Sequence, residues 1–446
     1  MQAQSLDKYV YLKDDSQIIY TNKGDILFRK QSENEIENVD ILDLNKNAAI
    51  LLRVLHKNFG SKDIINDVAR DVQVGDDYKE TIARFINQME KKGVITISDQ
   101  IGPSNKSLDV IDSSKDYLIS SATVEVTNRC NLMCKHCYMC ASNANKDMVS
   151  FEEFKKIVDI LLDEGVLMIE LTGGEVFENP EFEKILRLSL DKFPMVGMLT
   201  NGTHEISKSL LDLLVENKEK IVVSVSIDSS SPQIHDGFRG MEGAFEKSTA
   251  NIKKMADNGI FVRLTSAIFD DNMWQIHELA QLARDLGAKS FSYNFVEEFG
   301  RGDNFNKDHK VSKHDDYLSY INKTLEEFSD IIQIIDSTDF NRKSGNCGAG
   351  TSSFTIDSKK RLRPCVMSPT TFNIGTIDDN LNFKKEILDT LLAIDEPNFD
   401  NGCSKNCKFI YKCKGCYLRA LNVNKKEGTV CSWIKENNAE NLLQYV

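Results

Sequence analysis

Cys130, Cys134 and Cys137 stand in the run CNLMCKHC, whose CxxxCxxC spacing puts three thiolate donors on one short loop. Thiolates are soft ligands that suit iron–sulfur clusters or zinc. A 4Fe-4S cluster normally takes four of them, so three close ones leave one iron open to an outside ligand, and an open iron implies chemistry. The alternative is a tetrahedral zinc site completed by His136 or Cys140. Seven further cysteines lie near the end of the chain: Cys347, Cys365, Cys403, Cys407, Cys413, Cys416 and Cys431. Four of them form CxxxCxxxxxCxxC, a second set for which zinc and iron–sulfur are again both open.

Positioning such ligands is the work of a scaffold whose pattern begins near residue 121. Strands are expected at ATVEV, VLMIEL, VGMLT, IVVSVSI, FVRLTSAIF and FSYNFV, with helices at 151–164, 180–192, 205–217, 243–258 and 273–286 between them. Repeated strand and helix units of this kind build a parallel sheet covered by helices. Six units are too few to close an eight-stranded barrel, so an open, partial barrel is expected, with its site at the C-terminal ends of the strands. The cysteine run follows the first strand directly. Thr172-Gly173-Gly174-Glu175 ends the second, Thr200-Asn201-Gly202 the third, and Ser226 and Asp228 the fourth. Arg239 in HDGFRG carries a fork that can grip a carboxylate at two points. Each of these, taken alone, also reads as an ordinary strand-end turn or a surface residue.

Ahead of the repeats, residues 8–30 alternate as a hairpin about Asn22-Lys23-Gly24. Helices are expected over Asn45 to Phe59, Ser61 to Val72 and Asp77 to Lys92, with Ser61 and Asp76 as N-caps, before the strand VITIS. That is a winged-helix shape. Its 14 Lys and Arg against 17 Asp and Glu over residues 1–100 argue against DNA, as does the net charge of −13 for the whole chain. A helix over 313–334 then leads to a last segment expected to be poor in helix and to draw much of its stability from metal. No long apolar run or secretory leader is apparent, so the expected location is the cytoplasm, where eleven cysteines are kept for metal or redox work rather than disulfides.

The ordered motifs CxxxCxxC, TGGE, TNG, VSVSID and GFRG together resemble the radical S-adenosylmethionine (SAM) superfamily over roughly residues 116–300. That resemblance implies that Cys130, Cys134 and Cys137 hold a 4Fe-4S cluster and that SAM completes its open iron. It further implies Gly173, Gly174 and Glu175 at the methionine amino group, Tyr138 by the adenine, and Asn201, Ser226, Asp228 and Arg239 among the remaining SAM contacts. The cluster reduces SAM to a 5′-deoxyadenosyl radical, so the hard chemistry is the cofactor's; no protein side chain is assigned as catalytic. The second cysteine set resembles the SPASM extension, implying two auxiliary 4Fe-4S clusters. Cys347, Cys365 and Cys416 would hold one and Cys403, Cys407, Cys413 and Cys431 the other. The spacing departs from the usual block, with three residues in its first gap and two in its last, and Lys360 stands where a glycine is usual.

The resemblance implies an α/β fold of three parts: a winged-helix-like precursor recognition element over 1–100, a partial (βα)6 barrel over 117–310 and a SPASM domain over 346–446. A linker at 101–116 and a bridging helix at 311–345 join them. With LTGGEVF, NCGAG and GCYL, this order is similar to sactipeptide-forming maturases, which join a Cys sulfur to carbon in a ribosomally made precursor peptide. The expected partners are that peptide and an electron donor such as flavodoxin or ferredoxin, with no nucleic acid or membrane. Another SPASM reaction, such as a carbon–carbon crosslink or formylglycine formation, and a zinc-bearing winged-helix regulator are the competing readings.

Overall fold

The computed structural model describes residues 8–12, 18–20, 26–28, 46–72, 78–91, 94–100, 111–112, 119–308, 315–332, 347–399, 402–404, 406–413 and 415–446. The chain divides into two compact units, residues 1–120 and 121–446.

In the first unit, helices Lys46–Lys57, Ile64–Asp71 and Lys79–Lys91 carry the expected amphipathic stripes. Their apolar faces meet in one core with Leu52, Leu55, Ile64, Val68, Ile82, Ile86 and Met89. Strand β1 (Tyr9–Leu12) lies antiparallel to β4 (Ile95–Ser98), and Val10 and Ile95 join that core. The hairpin expected over 8–30 therefore gives up its YVYL arm, because Val10 belongs with the helices. What remains is β2 (Ile18–Tyr20) against β3 (Ile26–Phe28), whose register pairs Ile18 with Phe28 and Tyr20 with Ile26. Strand β5 (Ile111–Asp112) lies parallel to β2, so part of the stretch expected as a linker is sheet. Ser61 does not cap through its own position: the helix starts at Ile64, and the Ser61 hydroxyl accepts from Asp63 N at 3.1 Å. Asp76 and the turn residues 22–24 lie outside the described residues.

The second unit is built on one ten-stranded sheet. Strands β6 (Ser121–Glu125), β7 (Met168–Thr172), β8 (Met195–Thr200), β9 (Ile221–Ser226), β10 (Phe261–Ile268) and β11 (Ser290–Phe295) run parallel, each beside the next. Helices Phe151–Asp163, Phe182–Lys192, Lys208–Glu216, Ala244–Asp257 and Ile276–Asp285 connect them as expected. An eight-residue helix, Pro232–Arg239, was not expected. Ser150 starts the first connection with a reciprocal cap, its hydroxyl accepting from Glu153 N while Glu153 accepts from Ser150 N at 3.1 Å.

Along β8 and β10 burial alternates strictly. Val124, Ile169, Leu171, Val196, Met198, Val223, Val225, Val262 and Leu264 are fully buried on the face the helices cover. The other face carries Thr123, Glu170, Gly197, Ser224, Arg263 and Thr265 in neighbouring registers. The sheet thus sets an apolar face against a polar one.

Strand β12 (Ser353–Ile356) adds parallel to the free edge of β6, pairing Thr355 with Thr123. β13 (Arg361–Arg363), β14 (Gly375–Ile377) and β15 (Leu381–Phe383) continue antiparallel. The helix expected over 313–334 is Asp315–Glu327, and a further helix, Arg301–Asp308, precedes it. The last segment has more helix than expected: Lys385–Ala393, Ile410–Cys413, Tyr417–Glu427 and Ser432–Glu436. It also buries Leu391, Tyr417, Leu421, Trp433, Ile434 and Leu442, so apolar packing and a shared sheet hold it as well as any metal. Among the described residues no helix is long and apolar enough to cross a membrane.

Candidate functional site

The loop leaving β6 carries Cys130, Cys134 and Cys137, which pack with Leu132, Ala141, Met139 and Met241 in one small cluster. Burial pushes the Cys130 thiol up to about 12 and raises those of Cys134 and Cys137, with repulsion from the neighbouring thiolates adding to it. Such thiols stay protonated unless a cation is bound against them. Cys140 sits beside Cys137 but is exposed, on a left-handed residue with φ 53°.

The second and third strands hold this loop. Gly174 N donates to Thr127 O at 2.8 Å and Glu175 N to Arg129 O at 2.9 Å. A Cβ on Gly173 would stand 2.3 Å from Thr127 O, and one on Gly174 2.2 Å from Arg129 O. Only glycine lets the two backbones approach so closely. Glu175 turns inward and is buried; its carboxylate accepts from Thr200 Oγ1 and Asn201 N, both at 2.7 Å. Asn201 in turn donates to Asn131 Oδ1 at 2.9 Å, and Asn131 donates to Thr203 Oγ1 at 2.8 Å. The ends of β7 and β8 are thus tied into the cysteine run.

Asp228 and Arg239 are each other's partners. Arg239 Nη2 donates to Asp228 Oδ1 at 3.0 Å and Nε to Oδ2 at 2.5 Å, while Nη1 points at Cys134 Sγ at 3.8 Å. Asp228 is fully buried and also accepts from Ala267 N at 2.8 Å. Burial opposes its charge, yet the guanidinium holds it below its ordinary range. The fork expected on a SAM carboxylate is thereby spent on a protein carboxylate, and Arg239 is buried rather than a surface residue. Ser226 ends β9 half-buried beside Thr265.

Tyr138 donates to Glu125, the last residue of β6, and Glu125 forms a buried ion pair with Arg363 of β13. Burial pushes Glu125 up to about 7 against the pull of that arginine. Arg363 is completely buried and also donates to Ser368 O at 2.5 Å. The ring of Tyr138 thus lies on the side of the C-terminal segment. The ring beside Asp228 and Arg239 is instead His136, stacked on Phe238 at 4.4 Å and 3°. Neither the Glu125–Arg363 junction nor the placement of His136 was drawn from sequence. The pair's two residues lie 238 positions apart in the chain.

The seven remaining cysteines fall into two groups. Burial raises Cys365 to about 11 and Cys416 to about 12, with Cys347 acting on Cys365 and Cys365 on Cys416. All three surround Tyr417, whose hydroxyl donates to Ala349 O at 2.8 Å. Burial likewise raises Cys403 to about 11 and Cys413 to about 12, and each of these feels Cys407 and Cys431. Within each group the thiols lie near enough to act on one another's charge. Among the described residues no three His, Cys, Asp or Glu side chains close on a single metal ion. A cubane cluster seats each thiolate on its own iron and takes a wider set than one zinc does.

A profile of the radical SAM superfamily matches residues 124–283. The chain is 37% identical over 418 residues to the antilisterial bacteriocin subtilosin biosynthesis protein AlbA of Bacillus subtilis (strain 168), covering 92% of each chain. It is 25% identical over 274 residues to the sporulation killing factor maturation protein SkfB of the same organism, covering 60% of this chain and 65% of that one. In fold it resembles SuiB of Streptococcus suis bound to precursor peptide SuiA, with a TM-score of 0.59 at 15% identity over 93% of this chain and 97% of SuiB.

Proposed function

The chain belongs to the radical SAM superfamily and to the family of the subtilosin biosynthesis protein, and from that premise we propose that it joins a cysteine sulfur to a carbon within a ribosomally made precursor peptide. The observation that carries this reading is that the 37% identity runs through 92% of both chains. A radical SAM enzyme carries a 4Fe-4S cluster and SAM, which when bound supply a 5′-deoxyadenosyl radical able to take hydrogen from an unactivated carbon.

Cys130, Cys134 and Cys137 hold that cluster in this reading. Gly173, Gly174 and Glu175 receive the methionine amino group and Ser226 the ribose, while Asn201 fixes Glu175 and the cysteine run. Asp228 and Arg239, satisfied by each other, position Cys134 rather than grip the SAM carboxylate. Two auxiliary clusters, one on Cys347, Cys365 and Cys416 and one on Cys403, Cys407, Cys413 and Cys431, bring the total to three. With only three cysteines, the first has room for the substrate thiolate. Per bridge the peptide would lose two hydrogens, one as an atom and one as the thiol proton, and the auxiliary clusters that the two C-terminal cysteine groups would hold would supply an acceptor for the remaining electron. A flavodoxin or ferredoxin supplies the reducing electron. The peptide core lies against the polar face of the sheet in this reading. The first unit holds the leader as an added strand on β3, the end strand of its small sheet.

The test is mass spectrometry of the precursor peptide encoded beside this enzyme, after anaerobic reaction with SAM and reductant. Loss of two hydrogens per bridge, with the cysteines no longer alkylated, supports the reading. Unchanged mass with free thiols, under conditions where SAM is cleaved, would overturn it.

A further inference from the structure

Beyond β11 the chain passes through Glu297-Glu298-Phe299-Gly300-Arg301. One end of this stretch is bound to the cysteine run. Arg301 N donates to Cys137 O at 3.0 Å, its Nε to Cys134 O at 2.7 Å and its Nη1 to Ala141 O at 2.9 Å. Gly300 lies so close that a Cβ there would stand 2.1 Å from Tyr138 O. One guanidinium and one backbone N–H therefore satisfy carbonyls along the whole turn that bears the second and third cysteines. A turn so held cannot shift without breaking several charge-assisted bonds together.

The other end is bound to the helix that starts after Cys416. Glu297 Oε1 accepts from Arg419 Nε at 2.7 Å, and Arg419 also acts on the Cys416 thiol. Glu298 accepts from Lys412 Nζ at 2.8 Å and Lys426 Nζ at 3.0 Å, and its backbone oxygen accepts from Asn422 Nδ2 at 3.1 Å. Lys412 lies next to Cys413 and Arg419 three residues beyond Cys416, so both cysteine groups border this anchorage. Glu297 and Arg419 are largely shielded from water, unlike a rim ion pair.

We infer that Glu297–Arg301 is a coupling strap: it fixes the turn bearing Cys134 and Cys137 against the helix after Cys416, so that hydrogen abstraction and sulfur–carbon bond formation stay in step. The inference rests on the proposed function for the identity of the second step. Glu297, Arg301 and Arg419 are positioning residues in this proposal, acting through the protein contacts that hold the cysteine run and the helix after Cys416. Loosening the strap at Glu297 leaves Arg301 on the cysteine run, so radical formation persists while its product is spent without a crosslink.

The experiment compares wild type, E297Q, R419Q, E297R and the charge-swapped pair E297R/R419E, each fully reconstituted and matched for iron content and melting temperature. The readouts are 5′-deoxyadenosine formed per crosslink and the magnetic coupling between reduced clusters by pulsed electron paramagnetic resonance. The ratio is expected to rise several-fold in E297Q, R419Q and E297R and to return toward wild type in the swapped pair. The inter-cluster coupling should broaden in the singles and narrow again in the pair. An unchanged ratio and unchanged coupling in the singles would overturn the strap. If wild type makes a different peptide product, the thioether reading fails while the strap is still judged by the coupling and by the ratio to that product.

Discussion

In the loop after β6 three cysteines come from eight consecutive residues, whereas in the C-terminal segment each group includes a cysteine set well apart from the others in the chain. The first arrangement is local, and its precision is borrowed from other strands: Gly174 against Arg129, Asn201 against Asn131, Arg301 over Cys134 and Cys137. The second must bring Cys403, Cys407 and Cys413 to Cys431 across the helix Tyr417–Glu427, and Cys347 to Cys365 and Cys416 across strands β12 and β13. In the proposed reading one site is a loop shaped before metal arrives, and the other gathers its ligands from separate elements that already pack through Tyr417, Leu421 and Trp433.

The largest test of that contrast is a pair of cysteine substitutions. Cys134→Ala should reduce 5′-deoxyadenosine formation to background and remove about four irons per chain, leaving the C-terminal groups loaded. Cys413→Ala should keep SAM cleavage within several-fold of wild type yet yield no crosslinked peptide. Assays of 5′-deoxyadenosine, iron and peptide mass read both, and equal loss of cleavage in the two variants would erase the contrast.

Next in size is Gly174→Ala. Its new Cβ would collide with Arg129 O, so the cysteine run must move, and SAM cleavage should fall about a hundredfold, as it does for displacements near 1 Å at a reacting centre. Wild-type kinetics in this variant would show that the loop does not depend on its neighbours. The smallest effect is confined to dynamics: with iron stripped by a chelator, amides over 403–431 should exchange markedly faster while those of β6–β10 keep their protection. Uniform loss of protection would mean that metal holds both regions alike.

The strands were legible because each pairs an apolar, helix-covered face with a polar one, giving β8 and β10 their alternation. The division of the C-terminal cysteines into two groups rests on the SPASM resemblance, since their spacing departs from the usual block. The helix Pro232–Arg239 was not, being two turns long with Gly237 inside it. The partner of Arg239 was not legible either, since nothing in GFRG says whether its fork meets a ligand or Asp228. The Glu125–Arg363 pair joins residues 238 positions apart, and only β12 and β13 lying beside β6 bring them together. Dense turn signals hid the C-terminal helices, whose cores become apparent only once Trp433 and Tyr417 are seen packed. Arg301 was hidden in the same way within a glycine-flanked turn.

The seat of β12 on β6 also has a consequence for the chain's birth. At the ribosome β6 emerges early, but the strand that covers its outer edge is made more than two hundred residues later. At ordinary synthesis speeds that gap lasts on the order of ten to forty seconds. Throughout it β6 offers an unpaired row of amides and carbonyls to any extended chain nearby. Translation stopped before Ser353 would leave that edge permanently bare, so prematurely ended copies should clump rather than persist as smaller, independent barrels.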